Sequence, residues 1–186
     1  DASDCNDTDA GINPGVSETV ADGIDSDCDG GDLCWIDADL DGYGSSSTVV
    51  GSVACDVGGE STIDSDCDDG VASVYPGAPE VVADAVDQDC DGGDACYTDT
   101  DLDGYGSTTT VASADLDCSD SGESSDSSDC DDSSIVAYPG APEIVADGVD
   151  QDCDGGEICY SDGDGDGRGT TITTVSADTD CSDTGE

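Results

Sequence analysis

Apolar residues occur along this chain in short clusters, and the stretches between them are dominated by Asp, Gly and Ser. Ser47-Thr48-Val49-Val50, Thr108-Thr109-Thr110-Val111 and Thr171-Ile172-Thr173-Thr174-Val175 are rich in β-branched residues and predict short strands. Residues 80–86, Glu-Val-Val-Ala-Asp-Ala-Val, predict a helical turn or two. Tyr75-Pro76-Gly77-Ala78-Pro79 and Tyr138-Pro139-Gly140-Ala141-Pro142 are turn sequences. No apolar run approaches the roughly 20 residues that span a bilayer, so membrane insertion is not expected.

The clusters recur in phase. Cys5, Cys67 and Cys130 step by 62 or 63 residues, and the same step relates Cys28, Cys90 and Cys153; Cys34, Cys96 and Cys159; and Cys55, Cys118 and Cys181. Pro14, Pro76 and Pro139 keep that phase, as do Glu18, Glu80 and Glu143. Self-similarity at a fixed period marks a repeat architecture, and we place the repeats at 1–62, 63–125 and 126–186. Thr184-Gly185-Glu186 matches Ser121-Gly122-Glu123, which predicts a piece of a longer array or a subunit that continues head to tail.

Composition changes how such repeats must hold together. Phe and Met are absent, Trp occurs once, and the 34% hydrophobic fraction is mostly Ala, Val and Cys, so a conventional core is not expected. Forty-nine acidic residues face Arg168 alone, a net charge of −48. This charge repels itself in any compact state and excludes nucleic acid as a partner. Twelve cysteines at regular spacing indicate an oxidising compartment, so the chain is expected to be folded, secreted and extracellular or at the cell surface. Four cysteines per repeat allow three pairings. The sequential one, Cys5 with Cys28 and Cys34 with Cys55, closes short loops without crossing and is preferred.

The carboxylates themselves are patterned. Asp37, Asp39 and Asp41 precede Gly42; Asp99, Asp101 and Asp103 precede Gly104; Asp162, Asp164 and Asp166 precede Gly167. Carboxylates at positions 1, 3 and 5 of a tight loop converge on one hard cation, glycine at position 6 permits the turn, and position 7 offers a carbonyl. Here position 7 is Tyr43, Tyr105 or Arg168. Position 12, Glu in a helix-loop-helix site, is Thr48, Thr110 or Thr173 on a predicted strand, so the remaining acid must come from elsewhere in the repeat.

A second set encloses a cysteine at position 4: Asp25, Asp27 and Asp29; Asp87, Asp89 and Asp91; Asp150, Asp152 and Asp154. A third candidate pairs Asp7 with Glu18, Asp69 with Glu80 and Asp132 with Glu143 at the 1-to-12 spacing of a calcium loop; its position 3 is Asp9 only in the first copy. Those glutamates are equally available to complete one of the other loops. With no His and no Met, the donors are oxygen, which suits Ca2+, several per repeat, over copper, zinc or magnesium.

Aromatic residues recur after the third cysteine (Trp35, Tyr97, Tyr160) and after the loop glycine (Tyr43, Tyr105). They are expected to cover a disulfide or a neighbouring repeat, the alternative being a ligand-binding platform. The order Asp-Cys-Asp-Asp, Tyr-Pro-Gly-Ala-Pro-Glu, Asp-Gln-Asp-Cys-Asp-Gly and Asp-x-Asp-Leu-Asp-Gly-Tyr-Gly resembles the MopE-type metal-binding repeats of bacterial and archaeal surface proteins. The resemblance implies a secreted or surface location, calcium-dependent folding and tandem repetition. Some members are associated with copper, an association this donor set does not carry over. Family members have Glu-x-Cys-Asp-Gly after the Pro-Gly turn, whereas residues 80–84 lack that cysteine and Cys34, Cys96 and Cys159 look like additions; family disulfide connectivity is therefore no guide.

The fold expected is a small, irregular protein with short β-strands: three tandem disulfide- and calcium-stapled repeats in an elongated array with a minimal hydrophobic core. The function expected is structural, a subunit or segment of a filament, stalk or surface layer that self-associates head to tail. The alternative is a calcium-dependent adhesin for a glycan or surface protein. An enzyme is not expected: paired carboxylates hydrolyse glycosides, but abundant Asp makes such pairs uninformative, and neither His, Lys nor a nucleophile motif is present.

Overall fold

The computed structural model describes residues 4–186. They contain eight short strands and no helix: β1 (Asp32–Ile36), β2 (Thr48–Gly51), β3 (Glu60–Ser61), β4 (Ala95–Thr98), β5 (Thr110–Ala112), β6 (Glu123–Ser124), β7 (Ile158–Tyr160) and β8 (Thr173–Val175). They form three antiparallel sheets, ordered β2-β1-β3, β5-β4-β6 and β7-β8. The β-branched clusters supply β2, β5 and β8. Their partners β1, β4 and β7 centre on the third cysteine of each repeat, and register pairs Cys34 with Val49, Cys96 with Val111 and Cys159 with Thr174.

The helical turn expected at residues 80–86 does not form. Ala83 and Ala85 take φ of 60° and 63°, on the left-handed side that a right-handed helix excludes. The reason is competition for amides. The Ala83 amide donates to the Ala95 carbonyl, the Ala85 amide to the Asp94 carboxylate, and the Val86 amide to Asp84. The last is an Asx turn, a side chain capturing the amide two residues on, and it recurs at Asp4, Asp9, Asp22, Asp66 and Asp147. Dense Asp thus diverts the backbone from helix.

Two compact units are formed, one from the residues up to Glu80 with Asp87–Gly93, the other from Val81–Val86 with Asp94–Glu186. The first holds the β2-β1-β3 sheet and the second the other two. The apolar interior of both is small: Cys34, Cys55, Val74 and Ala78 in the first, Cys96, Ala137, Ala141 and Cys159 in the second. Half-cystines replace large side chains as filler. The pairs are Cys5–Cys28, Cys34–Cys55, Cys67–Cys90, Cys96–Cys118, Cys130–Cys153 and Cys159–Cys181, the sequential pattern. With separations of 21 to 23 residues, each bridge stabilises by on the order of 3 kcal/mol through the unfolded state. All twelve cysteines are paired.

Candidate metal centres

Each β1–β2-type hairpin is closed by an Asp-x-Asp-x-Asp-Gly loop. In the first, the Asp37 carboxylate accepts the amides of Leu40 and Gly42 at 2.7 and 3.1 Å, Asp39 accepts that of Asp41, and Asp41 accepts that of Tyr43. Leu40 lies at φ 71° and Gly42 at φ 99°, so the chain doubles back and the three carboxylates face inward. Oxygens of Asp37, Asp39 and Asp41 lie within 4.8 Å of one another. The loop at Asp99, Asp101 and Asp103 repeats the pattern bond for bond. In the third, Asp162 accepts the amides of Gly165 and Gly167.

The cysteine-containing loops share this backbone path. Asp25 accepts the amides of Asp29 and Gly30, and Cys28 at position 4 takes φ 62°, matching Leu40. The disulfide to Cys5 holds that half-cystine in a conformation L-residues seldom adopt. Cys90 and Cys153 do the same at φ 60° and 58°.

The third candidate, running from Asp7, Asp69 and Asp132 to Glu18, Glu80 and Glu143, does not assemble as a loop; its two ends serve different sites. Glu18 accepts the Asp27 amide and stands with Asp25 and Asp27 in one cluster of oxygens. Glu80 accepts the amides of Gln88 and Asp89, and Glu143 those of Gln151 and Asp152. The glutamates thus complete the cysteine loops. Asp69 turns to the preceding repeat, where it accepts the Ala38 amide at 2.7 Å, and Asp132 accepts both the amide and hydroxyl of Thr100. Asp9 accepts the amide of Gly11 within its own turn.

Several carboxylate oxygens are wholly buried with no hydrogen-bond donor. In the cysteine loops these are one oxygen each of Glu18, Glu80 and Glu143; in the hairpin loops, one oxygen each of Asp39, Asp41, Asp101 and Asp103; and beside those loops, one each of Asp66 and Asp129. A buried anionic oxygen without a partner is costly, and a multivalent cation is the group that satisfies several at once. Sequence reasoning missed Asp66 and Asp129. Their signal was the Asp one residue before the first cysteine of every repeat, Asp4, Asp66 and Asp129.

Electrostatics agree with crowding. Burial first, then the neighbouring Asp41 and Asp37 carboxylates, pushes Asp39 above the usual carboxylate range. Burial and then Asp41, Asp39 and Asp69 push Asp66 up, and Asp101 and Asp129 behave alike. Asp132 is lowered: burial opposes this, but the hydrogen bonds from Thr100 outweigh it. Asp162 is lowered chiefly by the Gly167 amide.

Apart from cysteine sulfur, the clustered donors are carboxylates. Cysteine sulfurs that approach Asp66, Asp129 and Glu186 are disulfide-bonded and offer no thiolate. Such a set suits a hard cation and offers copper neither imidazole nor thiolate.

The rings stack on each other. Tyr43 lies on Tyr75 with centroids 5.4 Å apart and planes within 8°, and Tyr105 lies on Tyr138 at 5.7 Å and 7°. The rings that follow two hairpin-loop glycines therefore cover the Tyr-Pro-Gly turn of the next repeat. Tyr160 is 46% exposed.

Residues 4–32, 66–95 and 129–157 match the family described as "Putative metal-binding motif", the copper-binding MopE type. Each match takes in the first disulfide, the Pro-Gly turn and the cysteine loop with its glutamate, and stops before the hairpin loop. No curated protein and no solved structure matches the chain.

Proposed function

From a chain that carries three tandem copies of the MopE-type metal-binding motif, we infer an extracellular calcium-binding structural protein, a subunit or segment of a filament, stalk or surface layer. The observation that carries calcium is the set of buried, donor-less carboxylate oxygens in both loop types. Hard oxygens in a turn with no imidazole or thiolate are the ligands calcium takes at 6 to 8 coordination. Six disulfides in 186 residues support an oxidising, extracellular setting. The described residues contain no helix long and apolar enough to cross a membrane.

A structural role is supported by how little else stabilises the fold: bridges and ions stand in for a core. The same array serves as a calcium-dependent adhesin in the second reading. The mutual stacking of Tyr43 with Tyr75 and Tyr105 with Tyr138 favours the structural one, since those rings are used between repeats and not offered as a glycan platform. Catalysis forms no part of the proposal.

Thermal unfolding by circular dichroism, disulfides intact, in excess calcium and after chelation, with bound metal quantified on the same sample, tests this. A calcium-dependent rise in Tm with two or more ions per repeat is expected; each site held at 100-fold above its Kd adds about 2.7 kcal/mol. A curve indifferent to calcium overturns the calcium reading. Electron microscopy showing only monomers at high protein and calcium overturns the filament.

A further inference from the structure

We propose that each hairpin loop is half of a calcium site, and that the other half is the aspartate preceding the first cysteine of the following repeat: Asp66 for the loop of Asp37, Asp39 and Asp41, and Asp129 for the loop of Asp99, Asp101 and Asp103. The ion then joins one repeat to the next within each compact unit. This rests on the calcium reading above and concerns loops outside the matched motif spans.

Backbone bonds lay the incoming segment across the loop. Ser61 donates its hydroxyl to the Gly42 carbonyl, the Gly44 amide donates to Ile63, and the Asp66 amide donates to Gly44. Asp69 also accepts the Ala38 amide of the loop. The second unit repeats each step: Ser124 to Gly104, Gly106 to Asp126, Asp129 to Gly106, and Thr100 to Asp132. One oxygen of Asp66 accepts the Asp68 amide and the other is buried without a donor, as are single oxygens of Asp39 and Asp41. Three carboxylates from two repeats thus each hold one buried oxygen without a donor, and the segment that carries Asp66 is bonded across the loop closely enough for Asp66 to feel the charges of Asp41 and Asp39.

The third loop differs in two ways: it has Gly165 and Arg168 where the others have Leu and Tyr, and among the described residues no Asp-Cys-Asp-Asp segment lies across it. Asp162 remains buried and bonded to loop amides, while Asp164 and Asp166 are exposed and hold no buried, donor-less oxygen. Asp69 and Asp132 are positioning residues, since their oxygens bond to amide or hydroxyl groups of the loop.

The test is calcium titration by calorimetry on the full, disulfide-intact, metal-stripped chain, comparing wild type with Asp66→Asn, Asp129→Asn, the double variant, and Asp120→Asn as an exposed control. Asn keeps the oxygen that accepts the Asp68 or Asp131 amide, and circular dichroism of the stripped proteins checks that the variants fold alike. Each single variant is expected to weaken one ion by at least the ~10-fold that follows loss of an outer-shell partner, the double variant two ions, and Asp120→Asn none. Unchanged ion number and affinity in both single variants, with wild type binding normally, overturns the composite site and leaves the calcium reading standing. Equal losses in Asp120→Asn assign the effect to net charge and overturn it too. No binding by wild type overturns both.

Discussion

At the scale of the residue, the recurrent device is a carboxylate that holds backbone amides with one oxygen and leaves the other free. Asp37 departs from it, with both oxygens bonded to its own loop and only 4% exposure, so it shapes the turn as much as it charges it. Gly42 at φ 99° is the hinge of that turn. A Cβ there would meet no neighbour, so Gly42→Ala is resisted by backbone conformation alone, costing about 1–2 kcal/mol; a lowered Tm in calcium measures it. A pH prediction also belongs here. Asp39, Asp66, Asp101 and Asp129 are raised by burial and then by neighbouring carboxylates, so these groups bind more protons in the metal-free fold than in the unfolded chain, and their contribution is present below the usual carboxylate range and lost as pH rises through the raised values. Asp132 and Asp162 are lowered and act oppositely. The Tm of metal-free protein is expected to fall from mildly acidic to neutral pH, the direction that self-repulsion of −48 charges also gives; a Tm that climbs over that interval contradicts it.

At the scale of the element, a hairpin, a disulfide and a loop form one module. Cys34 is fully buried in β1 and bridges to Cys55 just beyond β2. The double replacement Cys34→Ser, Cys55→Ser is expected to lose about 3 kcal/mol in urea unfolding, with calcium still raising the midpoint because the loop amides do not depend on the bridge. The hairpin was half legible beforehand. Its outer strand announced itself by β-branched residues, but Asp32-Leu33-Cys34-Trp35-Ile36 has no alternation to mark a strand; pairing to β2 and β3 on both edges makes it one. Residues 80–86 misled for the converse reason. Their apolar spacing suits a helix, but long-range acceptors at Asp94 and Ala95 take the amides.

At the scale of the whole molecule, the balance is between electrostatic repulsion and cross-links. Two or three ions per repeat would cancel only part of the charge, so the calcium-loaded protein should remain strongly acidic in electrophoresis. If copies join head to tail as proposed, the loop of Asp162, Asp164 and Asp166 in one copy would take Asp4 of the next, the position equivalent to Asp66 and Asp129. Asp164→Asn, at an exposed position, and Asp4→Asn, at a half-buried one where Asn keeps the oxygen that accepts the Asn6 amide, are then expected to shorten or abolish any calcium-dependent filaments in electron microscopy while leaving the stability of the isolated chain within about 0.5 kcal/mol of wild type. Filaments of undiminished length in both variants would sink that arrangement.

The sequence by itself determined the repeat period, the absence of a conventional core, the two loop families and the oxygen character of the donors, because each of these is local or compositional and is written in residues a few positions apart. Which acid stands beside which loop was decided by tertiary structure alone. Glu18 lies seven residues before Asp25, and Asp66 lies 25 residues after Asp41, and neither spacing distinguishes a ligand from any other carboxylate in a chain with 49 of them. Only the fold, by burying an oxygen of each where no donor reaches and by setting it beside a loop's carboxylates, separates these acids from those that merely face water.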